Sequence, residues 1–168
     1  MLTHSQAQRN ALAVNLAPYF PSGVRVELAM RYGSPSVASG ITRLSAAGVQ
    51  KVLVLHMYPQ YSASTVASTF DAVAKTMRDT RVIPELRFVN GYHGRADYVA
   101  ALAAAVRQKL ESAPVGTRLL FSFHGLPQRY VDNGDPYQSQ CQATAQAVAR
   151  ILDLQPGQWA VAYQSRVG

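Results

Sequence analysis

The sequence predicts an α/β fold in which a parallel sheet carries helices on its faces. Short apolar runs alternate with amphipathic helical stripes along the whole chain, the order that produces parallel strands joined by right-handed crossovers. These runs lead into turns that place Gly or Pro beside Tyr, His or Arg, and ligands of open α/β sheets sit just past the carboxyl ends of strands. With 168 residues and 48% apolar content, the chain can bury one substantial core.

The elements follow in order. Thr3 and Gln6 have capping-box spacing, which predicts a helix over 4–17. Pro18 and Pro21-Ser22-Gly23 break it. Apolar and charged residues alternate from Val24 to Met30, a strand pattern, and Arg31-Tyr32-Gly33-Ser34-Pro35 is the turn after it. Val37, Ile41 and Leu44 share one helical face, closed by Gly48. The near-continuous apolar run Lys51 to Met57 is expected of a parallel strand covered on both faces, with Tyr58-Pro59-Gln60-Tyr61-Ser62 as its exit.

A second helical stripe holds Val66, Phe70, Val73 and Met77. Leu86 to Val89 is a short strand with Asn90-Gly91-Tyr92-His93 as its exit, and Val99, Leu102, Val106 and Leu110 form the next stripe. Cys141, Ala145, Val148 and Leu152 make the last helical face, and Trp159 to Tyr163 starts a further strand. These stripes are core-facing surfaces.

Between the last two helices stands the pivotal stretch, Leu119-Leu120-Phe121-Ser122-Phe123-His124-Gly125-Leu126-Pro127. It reads as a buried strand that hands an imidazole to the following loop. Gly125 permits a sharp turn and Pro127 prevents the strand from continuing. A histidine there either serves a ligand or hydrogen-bonds within the turn. The polar segment Gln128 to Tyr137, with Asp132-Asn133-Gly134-Asp135, is the exit loop.

Composition narrows the function classes. The net charge of +7 favours an acidic partner, but the sixteen Lys and Arg residues are scattered singly, so no nucleic-acid partner is expected. One cysteine, Cys141, allows no internal disulfide. There is no apolar run long enough for a bilayer and no signal-peptide pattern at the start, so a cytoplasmic setting is expected. Neither a Gly-rich dinucleotide fingerprint nor a phosphate loop is present, and no Cys-x-x-Cys or His-Glu-x-x-His indicates zinc.

One edge of a parallel sheet would gather Arg31, Tyr32, His56, Tyr58, Tyr92, His93, His124, Arg129 and Tyr130. Such a shelf offers flat aromatic contact, guanidinium groups for carboxylates and imidazoles that exchange protons near neutral pH. It suits a flat, aromatic, anionic ligand that must lose protons. His93 equally suits an anchor for the next helix, His56 a hydrogen-bonded edge residue, and Arg166 a surface charge.

The chain resembles the ferrochelatases, enzymes that insert ferrous iron into a porphyrin in haem synthesis. The resemblance rests on Met30-Arg31-Tyr32-Gly33-Ser34-Pro35, Tyr58-Pro59-Gln60-Tyr61-Ser62, Ser122-Phe123-His124-Gly125-Leu126-Pro127, Gly134-Asp135-Pro136-Tyr137 and Gln164-Ser165-Arg166-Val167-Gly168, in the family's order. It implies a partial version of a two-domain, Rossmann-like chelatase fold, with residues 1–113 closing the first α/β domain and 114–168 opening the second. It also implies that His124 is the catalytic histidine, either base for the pyrrole protons or metal contact. Arg31, Tyr32, Tyr58, Ser122 and Arg129 are implied to bind substrate.

The implied substrates are Fe2+ and a porphyrin, protoporphyrin IX or coproporphyrin III, with no permanently bound cofactor. Ala63 stands where iron–sulfur members place a cysteine ligand, so no cluster is expected. The resemblance places a further strand before Met1 and an acidic partner of the histidine after Gly168. The chain is therefore expected to be an internal piece of a longer enzyme, inactive alone and prone to self-association, with peripheral membrane contact also compatible. Two rival readings are a chelatase inserting cobalt or iron into a more polar, sirohydrochlorin-type tetrapyrrole, which would use His56 or His93, and a non-catalytic tetrapyrrole-binding module.

Overall fold

The computed structural model describes residues 2–164. Ser165, Arg166, Val167 and Gly168, the end of the last motif, lie outside the described residues. The fold is α/β, with parallel strands and flanking helices. The chain forms two compact units that interleave in sequence, residues 1–55 with 68–88, and residues 56–67 with 89–168.

The first unit opens with α1 (Leu2–Leu16), which begins ahead of the expected cap at Thr3 and buries none of its residues. Helix α2 (Val37–Ala46) is capped by the Ser36 hydroxyl, which accepts from the Ser39 N–H at 3.1 Å. Gly48, at φ +70°, supplies the left-handed residue that ends it. Strand β1 (Lys51–Val54) runs parallel to β2 (Glu85–Phe88), with Lys51 opposite Glu85 and Val54 opposite Phe88. Helix α3 (Ser68–Arg78) connects them. Ile41, Val73 and Met77 form the core, closed by Val37, Val54, Leu86 and Phe88.

The second unit holds α4 (Ala96–Leu110), β3 (Leu119–His124), α5 (Gln128–Asp132), α6 (Tyr137–Ile151) and β4 (Trp159–Gln164). Strands β3 and β4 pair in parallel, Leu119 opposite Trp159 and His124 opposite Gln164. Val99 and Ala103 of α4 pack on Val148 of α6, with Phe121 of β3 closing the cluster. The helical stripes expected from periodicity therefore supply both cores. Phe70 departs from its stripe, being half exposed.

Four expectations need correction. Residues 24–29 form no strand, and Met30 makes only an isolated bridge to Ser36. A strand needs a hydrogen-bonded neighbour, and none of the described residues offers this segment a ladder. The ladder at Lys51 stops at Val54, and Leu53 is 62% exposed, so the strand is not covered on both faces. The described strands make two separate two-stranded sheets, β1 with β2 and a second pair later in the chain, where one sheet was expected. Lastly, Gln128 to Tyr137 is not all loop. Pro127 precedes the short helix α5, and the Gln128 Nε2 donates to Asp132 Oδ1 one turn on, at 2.9 Å.

Ala103 is fully buried against Val148, whereas Ala105 of the same helix is exposed. Ala103→Leu is expected to cost about 1–3 kcal/mol by overpacking, and Ala105→Leu to stay within about 0.5 kcal/mol of the parent. Urea unfolding of the two variants checks this, and equal midpoints would refute the packing of α4 on α6.

Candidate functional site

Strand β3 alternates, so Phe121 and Phe123 are half-buried on one face while Leu120, Ser122 and His124 are exposed on the other. The expected burial of the whole run is thus correct for one face only. Its last residue, His124, lines a small cleft of about 190 Å³ with Tyr58, Gln60, Ser62, Leu126 and Tyr137. All of these lie in the second unit.

The wall carrying Tyr58 is held by hydrogen bonds to α6. The Tyr61 N–H donates to Gln140 Oε1 at 2.7 Å, and the Gln60 Nε2 donates to Thr144 Oγ1 at 3.0 Å. That threonine oxygen also lies 3.1 Å from the His93 carbonyl and 3.0 Å from the Gln140 carbonyl, either of which can accept its proton. The Tyr92 N–H donates to the Pro59 carbonyl at 2.9 Å. Gln60, Ser62 and Thr144 are buried, so each needs such partners to offset its lost hydration.

One turn further, the Ser62 carbonyl accepts from the N–H groups of Thr65, Val66 and Ala67, which closes a π-helical turn over Ala63–Ala67. The wall is therefore a tight, internally bonded corner. Opposite it, Tyr137 begins α6. Burial pushes its hydroxyl up to about 12, with the neighbouring Cys141 thiol adding to the shift and the His124 backbone opposing it. Burial likewise pushes the Cys141 thiol up to about 11, against the Tyr137 hydroxyl. Both stay protonated near neutral pH, so Tyr137 presents a neutral phenol to the cleft.

A family model described as Ferrochelatase matches residues 1–168, the whole chain. The chain belongs to the ferrochelatase family. It is 48% identical over 168 residues to the ferrochelatase of Thioalkalivibrio sulfidiphilus (strain HL-EbGR7), covering all of this chain and 46% of that protein. It is 46% identical over 168 residues to ferrochelatase 1 of Shewanella oneidensis, covering all of this chain and 50% of that one. The Aeromonas hydrophila ferrochelatase is 46% identical over 170 residues, with 52% of its length matched. The chain spans about half the length of the curated relatives it matches.

Among the residues that the ferrochelatase resemblance singles out, His124 and Tyr58 meet in the cleft. Ser122 shares the exposed face of β3 two residues before His124 but does not line the cleft. Arg129 lies on α5, its guanidinium 5.7 Å from the Tyr130 ring centroid. Arg31 and Tyr32 belong to the first unit. There the Arg31 Nε donates to the Ser68 carbonyl at 2.9 Å and to its hydroxyl at 2.8 Å, and the guanidinium covers the Tyr32 ring at 4.6 Å.

Sequence reasoning gave no role to Gln60, Ser62, Asp135 or Tyr137. All four lie within the motifs that carry the family resemblance, and Asp135-Pro136-Tyr137 also stands ahead of a helical stripe, an acceptor side chain where a helix begins. Among the described residues, no group of three or more His, Cys, Asp or Glu could hold a metal ion, and no helix is long and apolar enough to cross a membrane.

His56 and His93 stand apart from the cleft lining. His56 is buried, its Nδ1 accepts from the Tyr58 N–H at 3.3 Å, and its ring stacks 6.3 Å from Tyr92. Its Nε2 makes no hydrogen bond of acceptable geometry, although the Val89 backbone lies close enough to favour the protonated form. Burial still dominates and lowers the pKa of His56 below 6.5, and burial does the same for His93. Burial thus favours the neutral form of both imidazoles.

The sign of their effect on stability follows. With a depressed folded-state pKa, the unfolded chain takes up the proton first as pH falls. Their contribution is therefore complete above the unfolded value of 6.5 and is lost as the pH drops from there toward the folded values. The thermal midpoint is expected to fall between about pH 7.5 and about pH 5.5, and His56→Asn to flatten that fall whatever it does to the midpoint at pH 7.5. An unchanged slope in the variant would show that His56 is not titrating against burial.

Proposed function

We propose that this chain belongs to an enzyme that inserts ferrous iron into a porphyrin, and that His124 is its reacting residue. The observation that carries the reading is the meeting of His124 with the Tyr58 and Tyr137 side chains in one cleft at the carboxyl end of β3, together with the family match. An imidazole changes protonation near neutral pH, so it can accept pyrrole protons as the metal enters. Tyr58 supplies a flat aromatic face for the macrocycle.

The cleft of about 190 Å³ is smaller than the roughly 300–1,000 Å³ of ordinary ligand sites, so it admits one edge of a macrocycle. Tyr32, Ser122, Arg31 and Arg129 are proposed to bind other parts of the substrate, the arginines meeting its carboxylates as guanidinium groups do. On this reading residues 1–113 complete one α/β domain and 114–168 open another, the division falling between α4 and β3. The reaction is assigned to the cytoplasm, where a lone thiol such as Cys141 stays reduced.

Titration of the chain with protoporphyrin IX and coproporphyrin III, followed by zinc insertion read by fluorescence, tests this. The parent chain is expected to bind at least one of the two. His124→Ala is expected to retain binding and to lower any insertion rate by about 10² to 10⁴, the usual effect of losing a general acid–base group. Binding without insertion in the parent favours a tetrapyrrole-holding role for this chain. No binding of either porphyrin would overturn the reading.

A further inference from the structure

The Gly134-Asp135-Pro136-Tyr137 turn connects the two walls of the cleft through one carboxylate. Asp135 Oδ2 accepts from the Ser62 hydroxyl at 2.9 Å and from the Ala63 N–H at 2.8 Å. Its other oxygen, Oδ1, accepts from the Tyr137 N–H at 3.0 Å. The Ser62 hydroxyl, having donated to the carboxylate, accepts in turn from the Ser64 N–H at 3.2 Å. Ser62 and Tyr137 both line the cleft, and Ser62 is fully buried.

We propose that Asp135 is a positioning residue: its carboxylate fixes the Tyr58–Ser64 wall at a set distance from the Tyr137 and His124 side, and so sets the width of the cleft. The proposal rests on the reading above that this cleft receives the tetrapyrrole. A planar macrocycle edge is gripped only by walls at the right separation, and an error of an ångström costs much of the productive geometry. A carboxylate suits the task because it accepts several charge-assisted hydrogen bonds at once, each stronger than a neutral one. Both of its oxygens are engaged, one by each side.

The two sides can be separated by mutation. Ser62→Ala removes one donor to Oδ2 and leaves the Tyr137 N–H contact untouched. It also removes the acceptor of the Ser64 N–H, so in this variant the clamp is read from the Ala63 amide, which bonds the carboxylate directly. Asp135→Asn keeps the shape but offers one acceptor where two backbone N–H groups, those of Ala63 and Tyr137, now require two. Ser139→Ala is the control, since the Ser139 hydroxyl donates to the Pro136 carbonyl in the same turn and does not touch the carboxylate.

Hydrogen exchange of the Ala63 amide in the full chain reads the clamp directly, because that N–H donates to the carboxylate. It is expected to accelerate about tenfold in Ser62→Ala and in Asp135→Asn and to stay unchanged in Ser139→Ala. Titration with protoporphyrin IX then reads the consequence. Affinity is expected to fall about three- to tenfold in both variants, with the absorption maximum of the bound porphyrin displaced. General destabilisation would shrink the bound signal without moving that maximum. Unchanged exchange in both variants overturns the clamp, and so does faster exchange with unchanged porphyrin affinity and absorption maximum. If the parent chain binds no porphyrin, the proposed function fails while the exchange data still decide whether Asp135 holds the wall. If Asp135→Asn does not fold, Ser62→Ala decides alone.

Discussion

Helix α6 carries the constraint on which the second unit depends, because adjoining positions on one side of it serve both the core and the site. Ala145, Val148 and Ala149 are buried on that side, with Val148 packed on α4. Gln140 and Thr144, in the same row as Val148 and toward the start of the helix, tie down the loops at Gln60, Tyr61 and His93. A buried amide or hydroxyl without a partner costs on the order of 1–3 kcal/mol, so the loops cannot leave α6 without exposing that penalty. The position of Tyr58 therefore follows from the packing of α6, although Tyr58 makes little core contact of its own and is 43% exposed.

Strand β3 contributes the other half of the arrangement by simple alternation. Phe121 and Phe123 face the packed side, and Phe121 meets Trp159 edge-on with ring centroids 5.8 Å apart. With those two fixed, the period of two sends Ser122 and His124 to the opposite face. A one-residue slip of the ladder would bury the imidazole and expose two phenylalanines. The pairing of His124 with Gln164 at the end of the ladder thus keeps the imidazole on the exposed face. Gly125, which donates its N–H to the Gln164 carbonyl, ends the ladder directly after the imidazole.

The histidines illustrate how burial sorts residues of one type. His124 is exposed at the mouth of a cleft, whereas His56 is buried beneath aromatic neighbours and His93 is partly buried. An imidazole packed in this way is held neutral by the cost of desolvating its cation. Its value is structural, as in the His56 ring that receives the Tyr58 N–H and orders the start of the cleft wall. A site that relied on His56 for metal binding would first have to expose it.

The residues alone determined what depends on local spacing. The stripes at Val37 and Ile41, Val73 and Met77, Val99 and Ala145 with Val148 declare their buried faces by helical period, and those faces make the cores. The placing of His124 at a strand end was also legible, since an apolar run followed by Gly and Pro leaves little else for the backbone to do. The ordered motifs carried the family. What tertiary structure decided was partnership between distant segments. Val24 to Met30 has a strand's alternation but, among the described residues, makes no ladder beyond the Met30–Ser36 bridge, and alternation cannot say whether a neighbour exists. Asp135 meets Ser62 across 73 residues of chain, Tyr61 meets Gln140 across 79, and Gln60 meets Thr144 across 84. Hydrogen bonds of that reach have no periodic signature. They form because helix packing has already brought the segments together, and buried polar groups must then bond to whatever lies within 3 Å.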